Sequence, residues 1–483
     1  MAVTITKIDE TYCYIDGEPG DIRTIQEDLT FEAPGHKFHP QYKAGNWDGK
    51  IRLINGLTHQ FYTGLVPEVV SRAVKMGIEV EVDPACRPPE PDPSQIDAFL
   101  ETLDLDFDPY DFQLGAFRQA VARRRLLIIS PTSSGKSLII FLITKFLNLK
   151  TLVVCPTIKL VKQMNKDLGE YGIGESIHTI SAGSDKYTDK QYIVSTWQSV
   201  QNESSEYFNQ YDVIFGDEVH KFDSKKIGGI MEKSTQVSYR IGLTGTLKGS
   251  KTHELTLTGL FGPKIETLSY REMIDRGIAS EIMIKVLVFN YSKRTNEELP
   301  VKHEYRDEDQ LIRLHEGRNK FIAALANRLD NNALILFRKI DKHGDILNEY
   351  LQEMSKPTYY IHGTNKEYED SIKEIAETTD GINILASAGL FSTGVSINNI
   401  QVGIFANAIK SRIDTIQSIG RLLRKDGKEN FVTLYDCADN LSRRTSKHKR
   451  DEGYSMRHLQ ERLAMYAELG FPYQVIQVQL ERD

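Results

Sequence analysis

The segment Ser130–Ser137 (SPTSSGKS) combines small residues with a lysine at the spacing of a phosphate-binding loop. It follows the apolar segment Leu126–Ile129 and precedes another apolar run, which predicts a strand, a loop and then a helix. In that context Gly135 lets the backbone approach an anion, and N–H groups at the start of the helix point at phosphate oxygens. Lys136 adds positive charge for the β- and γ-phosphates, and Ser137 offers a hydroxyl to Mg²⁺.

The match to the full loop pattern is incomplete, because serine stands at position 130, where the pattern has glycine. A turn that binds no anion therefore remains open for this segment taken alone. The predicted nucleotide contacts in the loop are Thr132, Ser133, Ser134, Gly135, Lys136 and Ser137.

Two adjacent carboxylates, Asp217 and Glu218, follow a second apolar segment, Tyr211–Gly216, and are followed by Val219 and His220. Catalytic groups of parallel sheets gather at the carboxyl ends of the strands. We predict that Asp217 holds Mg²⁺ through water and that Glu218 orients and deprotonates an attacking water. The pair could instead cap the following segment, but the phosphate loop upstream favours the catalytic interpretation.

Arg421 and Arg424 lie three residues apart in the segment 417–424 (QSIGRLLR), a spacing that puts both on one helix face. Arginine can stabilise the charge that develops on a γ-phosphate during transfer. If two domains face each other across a nucleotide, these arginines could complete the site from the second domain. Taken alone, the segment is more simply explained as a solvated basic helix face.

The segments that must position these residues alternate between short apolar strands and amphipathic helices. The pattern runs from Tyr110 to about Ser280 and restarts after Asn319. It predicts two α/β domains in tandem, each built on a parallel sheet. The predicted strands are 126–129, 151–155, 192–195, 212–216 and 240–243 in the first domain, and 333–337, 357–361, 382–386, 401–406 and 431–435 in the second.

The composition of the 483 residues is ordinary for a soluble globular protein, with 40% hydrophobic and 26% charged residues. The net charge of −7 argues against a passive coat on nucleic acid, although phosphate contacts depend on local surface. The four cysteines form no CxxC pair, which argues against a zinc ribbon and a disulfide framework and favours a reducing cytoplasm. The N-terminus has no apolar core of a signal peptide, and the longest apolar stretch, Leu138–Leu149, is too short for a membrane span.

Together, the loop, the carboxylate pair and the arginine segment resemble motifs I, II and VI of superfamily-two helicases. Further segments follow in the order of that family. Tyr110–Gln113 resembles the adenine-reading segment, and the others are Pro156-Thr157 (motif Ia), Ser195–Gln198 (Ib), Thr244–Thr246 (III), Ile335–Arg338 (IV) and Ser387–Ser396 (V).

The resemblance implies RecA-like domains that use ATP and Mg²⁺ and grip nucleic acid alternately. It implies that Gln113 reads the adenine edge and that Gly394 contacts nucleotide. This chain departs from the family pattern at Ser396, where many members have aspartate. It implies catalytic roles for Lys136, Asp217, Glu218, Arg421 and Arg424. The nucleic-acid contacts that it implies are Pro156, Thr157, Thr196, Trp197, Thr244, Arg338 and Ser387.

The finer resemblance is to UvsW-like bacteriophage helicases, which move branched DNA junctions. PTSSGKS, FSTGVS and IGRLLRK resemble that group, and residues 31–54 resemble its N-terminal domain. In this segment Lys43, Lys50 and Arg52 are predicted to contact phosphates, and Trp47 to stack on bases. Trp47 and Phe38 could equally be core residues of a small domain.

The predicted fold is therefore α/β, with two tandem RecA-like parallel-sheet domains and a small N-terminal α/β domain. The predicted boundaries are 1–95 for a DNA- or junction-binding accessory domain, 96–108 for a linker, 109–282 for the ATP-binding domain, 283–445 for the helicase C-terminal domain and 446–483 for a helical extension.

The predicted function is ATP-dependent remodelling of branched DNA, through branch migration, fork regression or unwinding, in recombination, repair or replication. The partner is DNA, and the expected location is the cytoplasm, that of the host if the gene is phage-borne. Two alternatives remain open: an RNA helicase, and a duplex-DNA translocase that drives a larger complex. A non-catalytic nucleic-acid binder is a third class, which the full set of catalytic residues disfavours.

Overall fold

The structure is a computed structural model of the chain. It divides into two compact units, Met1–Pro131 with Gly135–Leu268, and Thr132–Ser134 with Ser269–Asp483. The residues it describes are 2–181, 183–222, 224–247, 250–300, 303–363, 369–389, 397, 399–407, 409, 411–425, 431–441, 443–444, 450–451 and 453–480.

The first unit begins with a small sheet, called here the N-terminal sheet. Strands Val3–Lys7 and Val80–Val82 of this sheet run parallel, and its other neighbouring strands run antiparallel. Alternate residues of Val3–Lys7 are buried. Helices Pro19–Asp28 and Val66–Lys75 cover that buried face with apolar side chains, which gives this part of the chain its own core. The spatial order of the strands is Gln60–Tyr62, Tyr12–Asp16, Val3–Lys7 and Val80–Val82.

The segment between these two helices adds a two-stranded antiparallel ribbon, Thr30–Glu32 with Lys50–Arg52. The two strands and the residues between them carry the basic and aromatic side chains that were predicted to contact nucleic acid. Short helical turns complete the region: His36–Phe38, Pro40–Lys43, Thr63–Leu65 and Pro84–Cys86.

The first unit also contains a parallel sheet of seven strands, called here the first parallel sheet. Its central strands are buried on both faces; Thr151–Cys155 and Val213–Asp217 are buried at every position. This explains why they read as continuous apolar runs in the sequence. The strand order is Lys264–Glu266, Arg125–Ile129, Tyr239–Thr244, Val213–Asp217, Thr151–Cys155, Tyr192–Thr196 and Ile177–Ile180.

Helices flank this sheet, and Lys136–Leu147 is buried on all sides along Leu138–Thr144. In the described part of the chain, no helix combines the length and apolar character needed to cross a membrane. The α-helices of the unit's second part are Pro93–Glu101, Asp111–Arg123, Lys136–Leu147, Ile158–Leu168, Trp197–Val200, Ser205–Asn209, Ser224–Lys233 and Lys251–Phe261, with shorter 3-10 or π turns at Gly169–Ile173, Gly174–Ser176 and Val219–Lys221.

The second unit is built on another parallel sheet of seven strands, called here the second parallel sheet. The strand order is Thr358–Ile361, Asn383–Ser387, Ala333–Phe337, Val402–Phe405, Phe431–Asn440, Glu281–Asn290 and Tyr473–Gln479. Its helices are Tyr270–Asp275, Lys293–Glu297, Tyr305–Leu314, Glu316–Arg328, Asp345–Gln352, Glu369–Thr378, Arg412–Leu422 and Gly453–Glu468, with a π turn at Ile340–Gly344. Two short strands, Arg443–Arg444 and Arg450–Asp451, form a separate antiparallel pair.

Buried ion pairs fasten the helices of the second unit to strand Phe431–Asn440. Arg462 of the last helix places Nε 2.8 Å from Asp436 Oδ2, and both side chains are almost fully buried. Arg318 makes the corresponding pair with Asp439, with 2.7 Å between Nε and Oδ1. Removing one partner would leave a buried charge uncompensated, so these pairs specify how the helices dock.

The predicted fold class is confirmed: two RecA-like parallel sheets with an additional N-terminal α/β part. Each of the ten predicted strands coincides with an observed one. Four strands of the two parallel sheets were not in that set. Ile177–Ile180, Lys264–Glu266 and Tyr473–Gln479 lie at sheet edges and are too exposed to form apolar runs. Glu281–Asn290 lies inside the second parallel sheet and spans the predicted domain boundary at 282–283.

Candidate functional site

The phosphate loop follows strand Arg125–Ile129 and ends where helix Lys136–Leu147 begins. Gly135, the residue before this helix, has φ +76°, in the left-handed region that glycine adopts readily. A Cβ at this position would lie 2.4 Å from Gln113 Nε2. Glycine is thus required twice here, by the backbone angle and by the approach of the predicted adenine-reading residue.

Gln113 is itself held in place in the first turn of helix Asp111–Arg123. It is 4% exposed, and its Oε1 accepts a hydrogen bond from Tyr110 N at 2.8 Å. The rings of Tyr110 and Phe112 stack with centroids 5.5 Å apart. The predicted adenine-reading segment and Gly135 of the phosphate loop therefore lie together in the first unit.

Serine at position 130 is accommodated without disturbing the loop. Its side chain is fully buried, and Thr267 Oγ1 donates to Ser130 Oγ at 2.8 Å. The Ser130 N–H donates to Thr244 O at the end of the neighbouring strand. The departure from the glycine pattern is therefore matched by a hydroxyl partner.

Lys136 lies at the first turn of its helix and points back into the loop. Its Nζ donates to the backbone oxygens of Ser130 and Pro131, at 3.3 and 3.4 Å. The same Nζ lies 3.5 Å from Glu218 Oε1. The loop lysine and one of the two predicted catalytic carboxylates are thus in one cluster.

Asp217 is the last residue of strand Val213–Asp217, and Glu218 follows it with φ +50°. Burial, and next the negative charge of Glu218, raise the pKa of Asp217 to about 7. Carboxylate oxygens of this kind are the ligands that a divalent cation such as Mg²⁺ takes in proteins. Ser137, the other predicted Mg²⁺ ligand, has its Oγ 3.4 Å from Tyr171 Oη.

His220 links the carboxylates to the next motif. Its Nδ1 lies 3.3 Å from Glu218 Oε2 and also hydrogen-bonds to Thr244 Oγ1. Thr244 Oγ1 in turn donates to Thr246 O at 2.8 Å. His220 was not among the predicted site residues, although its position two residues after Glu218 could have identified it.

The arginine segment lies in the second unit, on helix Arg412–Leu422 and just after it. Arg424 Nε donates to Ser133 Oγ at 2.8 Å, and Ser133 Oγ donates to Gly420 O at 3.2 Å. A Cβ on Gly420 would lie 2.9 Å from Thr132 Cβ, so glycine permits this approach. Arg421 is 8% exposed. Two of the predicted phosphate-loop residues are thus packed against the arginine segment within this unit.

Several predicted nucleic-acid contacts lie where strands of the first parallel sheet end. Pro156 and Thr157 follow one strand, and Thr157 Oγ1 caps the next helix by accepting from Leu160 N. Thr196 ends another strand, and Trp197 follows it. Because all these strands are parallel, their carboxyl ends lie side by side, and these residues are found there together with Thr244.

The face of Trp197 is occupied by a cation. Lys226 Nζ lies 4.1 Å from the centroid of the Trp197 ring, a cation–π distance. Lys226 is exposed and was not predicted. It comes from helix Ser224–Lys233, and the sequence pattern gives no sign of its pairing with Trp197.

In the second unit, Arg338 and Ser387 lie at the ends of neighbouring strands of the second parallel sheet. A cleft of about 570 Å³ opens beside them, lined among others by Arg338, Asn407 and Ser418. Arg338 Nη1 donates to Tyr305 Oη at 3.1 Å. Gly394, a predicted nucleotide contact, lies outside the described residues.

The predicted N-terminal contacts are on the surface. Lys43, Lys50 and Arg52 are exposed, although Arg52 is paired with Asp48. Trp47 is half-buried and donates from Nε1 to Lys50 O at 3.0 Å. Phe38, which could have been a core residue, is 81% exposed.

A curated relative covers the whole of this architecture. The ATP-dependent DNA helicase uvsW of Enterobacteria phage T4 is 30% identical over 98% of this chain and 99% of its own length. The chain belongs to the UvsW family. Residues 3–83 match the family model described as DNA helicase UvsW, N-terminal.

Other comparisons agree with membership of the UvsW family. Residues 89–249 match the model described as Type III restriction enzyme, res subunit, and residues 316–426 match the helicase conserved C-terminal domain. The crystal structure of T4 UvsW superposes with a TM-score of 0.53 at 29% identity, covering 100% of both chains. The DNA 3′-5′ translocase XPB2 of Sulfurisphaera tokodaii is 25% identical over 71% of this chain and 84% of its own.

Structures at lower identity share the fold of this UvsW-family chain. A fragment of a putative HsdR subunit of a type I restriction enzyme from Vibrio vulnificus superposes with a TM-score of 0.59 at 17% identity. It covers 86% of this chain and 75% of that fragment. At this identity the likeness concerns the fold alone.

Proposed function

We propose that this UvsW-family helicase uses ATP hydrolysis to remodel branched DNA. The observation that carries the proposal is the cluster of Lys136, Glu218, His220 and Thr244, which joins a hydrolytic site to a strand end where nucleic-acid contacts are predicted. Family membership makes the chain an ATP-dependent helicase, and the T4 relative is named as a DNA helicase.

The proposed nucleotide site begins with the phosphate loop. Gln113 contacts the adenine edge, and the loop N–H groups with Lys136 bind the phosphates. In the structure Lys136 Nζ rests on two backbone oxygens of its own loop. A triphosphate offers the same ammonium group a charged partner, so we expect Lys136 to exchange these contacts for phosphate oxygens.

Ser137 and Asp217 are the proposed ligands of Mg²⁺. The raised pKa of Asp217 supports this, because a buried carboxylate beside a second one gains most from a nearby cation. Bound there, the ion would neutralise charge on the phosphates. Asp217 would also be held in its charged form.

Glu218 is the proposed general base, which orients the attacking water and accepts its proton. Its other oxygen faces His220, so the carboxylate is held from two sides. With His220 two residues after Glu218, the sequence Asp217–His220 supports assignment to the DExH subtype. His220 then couples the Glu218 carboxylate to Thr244 through one hydrogen bond.

Arg421 and Arg424 are the proposed arginines that stabilise the γ-phosphate in the transition state. The position of both residues on one face of the segment QSIGRLLR supports this. Arg421 is well buried on helix Arg412–Leu422, which favours a defined role over a solvated basic face.

The surface formed by residues 36–52 is proposed to engage duplex or junction DNA. It combines exposed cations, Lys43 and Lys50, with the exposed ring of Phe38. Cations bind phosphates without regard to sequence, and aromatic rings stack on bases that a branch point leaves open. Trp47 is fixed by its hydrogen bond to Lys50 O and helps to shape this surface.

A duplex-DNA translocase is the second candidate function. It is favoured by the match of residues 89–249 to a restriction-enzyme subunit model and by the XPB2 relative, which is named as a translocase. Such a motor would be stimulated by linear duplex as strongly as by a junction.

The deciding experiment compares ATPase stimulation and strand remodelling on four-way junctions, forks, linear duplex, single strands and RNA. We expect forks and four-way junctions to stimulate most and to be remodelled. A double variant, Lys43→Ala with Lys50→Ala, should weaken junction binding and reduce its salt dependence, while basal ATPase is unchanged. Equal stimulation by linear duplex, or preference for RNA, would refute the branched-DNA proposal.

A further inference from the structure

Two cysteines far apart in the sequence meet in the first unit. Cys13 and Cys86 are 73 residues apart, and their Sγ atoms are 3.7 Å from each other. None of the four cysteines is in a disulfide in the structure, and Cys155 and Cys437 are buried. The distance is a van der Waals contact; a disulfide needs about 2.05 Å, so a small movement would join the pair.

The fold of the N-terminal sheet brings the two thiols together. Cys13 lies on strand Tyr12–Asp16, paired in register with Lys7 of the middle strand. Cys86 ends the turn Pro84–Cys86, which follows the edge strand. Lys7 N donates to Asp83 Oδ2 at 3.1 Å, which fastens the start of that turn across the end of the middle strand.

The two thiols differ in access to solvent. Cys13 is fully buried, with Sγ 3.5 Å from Thr63 Oγ1. Cys86 is half-buried and lines a cavity of about 620 Å³ whose wall also includes Arg87, Arg123 and Arg125. A reagent of small-peptide size can reach Cys86 there. Arg125 is paired with Glu10, and Glu90 also lines the cavity. The guanidinium groups of Arg87 and Arg123 suit a reagent that carries carboxylates.

We propose that Cys86 and Cys13 form a thiol–disulfide exchange site that reacts with a low-molecular-weight anionic disulfide of the glutathione class. The Cys86 sulfur attacks one sulfur of the reagent, its proton leaves, and the reagent's S–S bond breaks to release one small thiol. Cys13 then attacks the Cys86 sulfur, loses its own proton and releases the second small thiol. Two protein thiols are oxidised to one disulfide, and one small disulfide is reduced to two thiols.

The electrostatics supports this order of attack. The hydrogen bond with Cys13 lowers the pKa of Cys86 below its ordinary value. The same hydrogen bond, together with burial, raises the pKa of Cys13. Cys86 therefore carries more of the reactive thiolate, and Cys13 is positioned as the resolving thiol.

The bond would tie the segment that follows Cys86, Arg87–Ser94, to the N-terminal sheet. It closes a long loop, from Cys13 to Cys86, and so restricts the unfolded chain and stabilises this part of the protein against unfolding. Because the bond forms by exchange, an excess of reduced thiol would open it again. This is a reversible modification site and not a structural framework.

The test uses the reduced full-length protein without nucleotide or DNA, so its outcome is independent of the proposed helicase function. Glutathione disulfide is added at increasing concentration, and free thiols are counted before and after denaturation. We expect two of the four thiols to be lost. Non-reducing peptide mapping should recover Cys13 joined to Cys86, and the thermal unfolding temperature should rise and return on addition of a reducing dithiol.

Variants separate the two steps. Cys13→Ser should accumulate a stable glutathione adduct on Cys86, whereas Cys86→Ser should form no adduct and keep Cys13 reduced. Cys437→Ser is the matched control and should behave as the parent protein does. If Cys13→Ser fails to fold, the peptide map of the parent protein and the Cys86→Ser result decide the matter.

Three outcomes would overturn the proposal. The first is a full set of free thiols in the parent protein at high glutathione disulfide. The second is a lasting adduct on Cys86 with no bond to Cys13. The third is oxidation of Cys155 or Cys437 at the same rate as the pair.

Discussion

Lys136 Nζ lies 3.5 Å from Glu218 Oε1, so the phosphate-loop lysine and the proposed general base contact each other across the first parallel sheet. The two residues come from different strand ends, Ile129 and Asp217. Their contact keeps both charges partly neutralised while the protein holds no nucleotide. ATP would separate them, because its phosphates are stronger partners for the lysine.

Replacing Lys136 with alanine should abolish ATP hydrolysis, with a fall in kcat of about 100-fold or more. The change removes the ammonium group that meets the β- and γ-phosphates. Steady-state ATPase assays at saturating DNA would measure it. Lys145→Ala is the matched control, since Lys145 is an exposed lysine on the same helix, and it should retain parental turnover.

Replacing Asp217 with asparagine should stabilise the protein without nucleotide or Mg²⁺, and more at pH 8 than at pH 5. The pKa of Asp217 is raised to about 7 in the folded protein, from an ordinary value near 3.8. Between these values the folded state binds more protons than the unfolded state, so the stability contributed by Asp217 is lost as pH rises through 7.

The gain from Asp217→Asn at pH 8 is expected to be about 1–3 kcal/mol, since each unit of pKa shift corresponds to about 1.4 kcal/mol. Urea unfolding across the pH range would measure it. Glu297→Gln, at an exposed carboxylate, should show no such pH-dependent gain. A gain that is equal at pH 5 and pH 8 would contradict the assignment of the shift.

Replacing His220 with alanine should uncouple ATP hydrolysis from DNA remodelling. His220 joins Glu218 to Thr244, and Thr244 ends a strand at the edge where nucleic-acid contacts are predicted. The measurement is the number of ATP molecules hydrolysed per junction converted, which we expect to rise several-fold. Thr244→Val should raise it as well, because valine keeps the shape but offers no hydroxyl to His220.

If His220→Ala reduced hydrolysis and remodelling by the same factor, the coupling role would be excluded. His178→Ala serves as the control at a half-buried histidine of the same unit, on the edge strand Ile177–Ile180. It should leave the ratio of hydrolysis to remodelling at its parental value.

Replacing Arg424 with alanine should abolish hydrolysis while ATP binding is largely retained. The guanidinium group is proposed to act only when charge develops on the γ-phosphate, so its loss lowers kcat by about 1,000-fold with little effect on affinity. Nucleotide-binding fluorescence and ATPase assays would separate the two effects. Retained turnover would remove the assignment of Arg424.

Arg412→Ala is the matched control for Arg424. Arg412 is exposed at the start of the helix that precedes Arg424 and is paired with Glu468. A surface pair of this kind contributes little to stability, so the variant should hydrolyse ATP at the parental rate.

Much of the fold could be predicted because buried parallel strands have a strong signal. Strands such as Ala333–Phe337 are apolar at every position, since both faces of the sheet are covered. The edge strand Tyr473–Gln479 has no such signal, because most of its side chains are exposed and only its backbone pairing with Glu281–Asn290 defines it. Strands at sheet edges are decided by pairing, which local sequence does not record.

The candidate site shows the same division. Gly135, Lys136 and Asp217 could be identified from residue type and spacing, because phosphate and cation binding require particular chemistry at particular intervals. The contact of Lys226 with Trp197, and the partner that Thr267 gives to Ser130, join residues far apart in the chain. No spacing rule connects such residues.

Residue types and short motifs were enough to identify the side chains that can do chemistry and their order along the strands and helices, because periodicity and short motifs are local properties. Which of these side chains meet depends on the three-dimensional packing. His220 between Glu218 and Thr244, Arg424 on Ser133, and Cys13 beside Cys86 are each set by how distant strands pair and helices pack. Contacts of this kind depend on how all elements of the unit pack together, and a local sequence pattern does not contain that information.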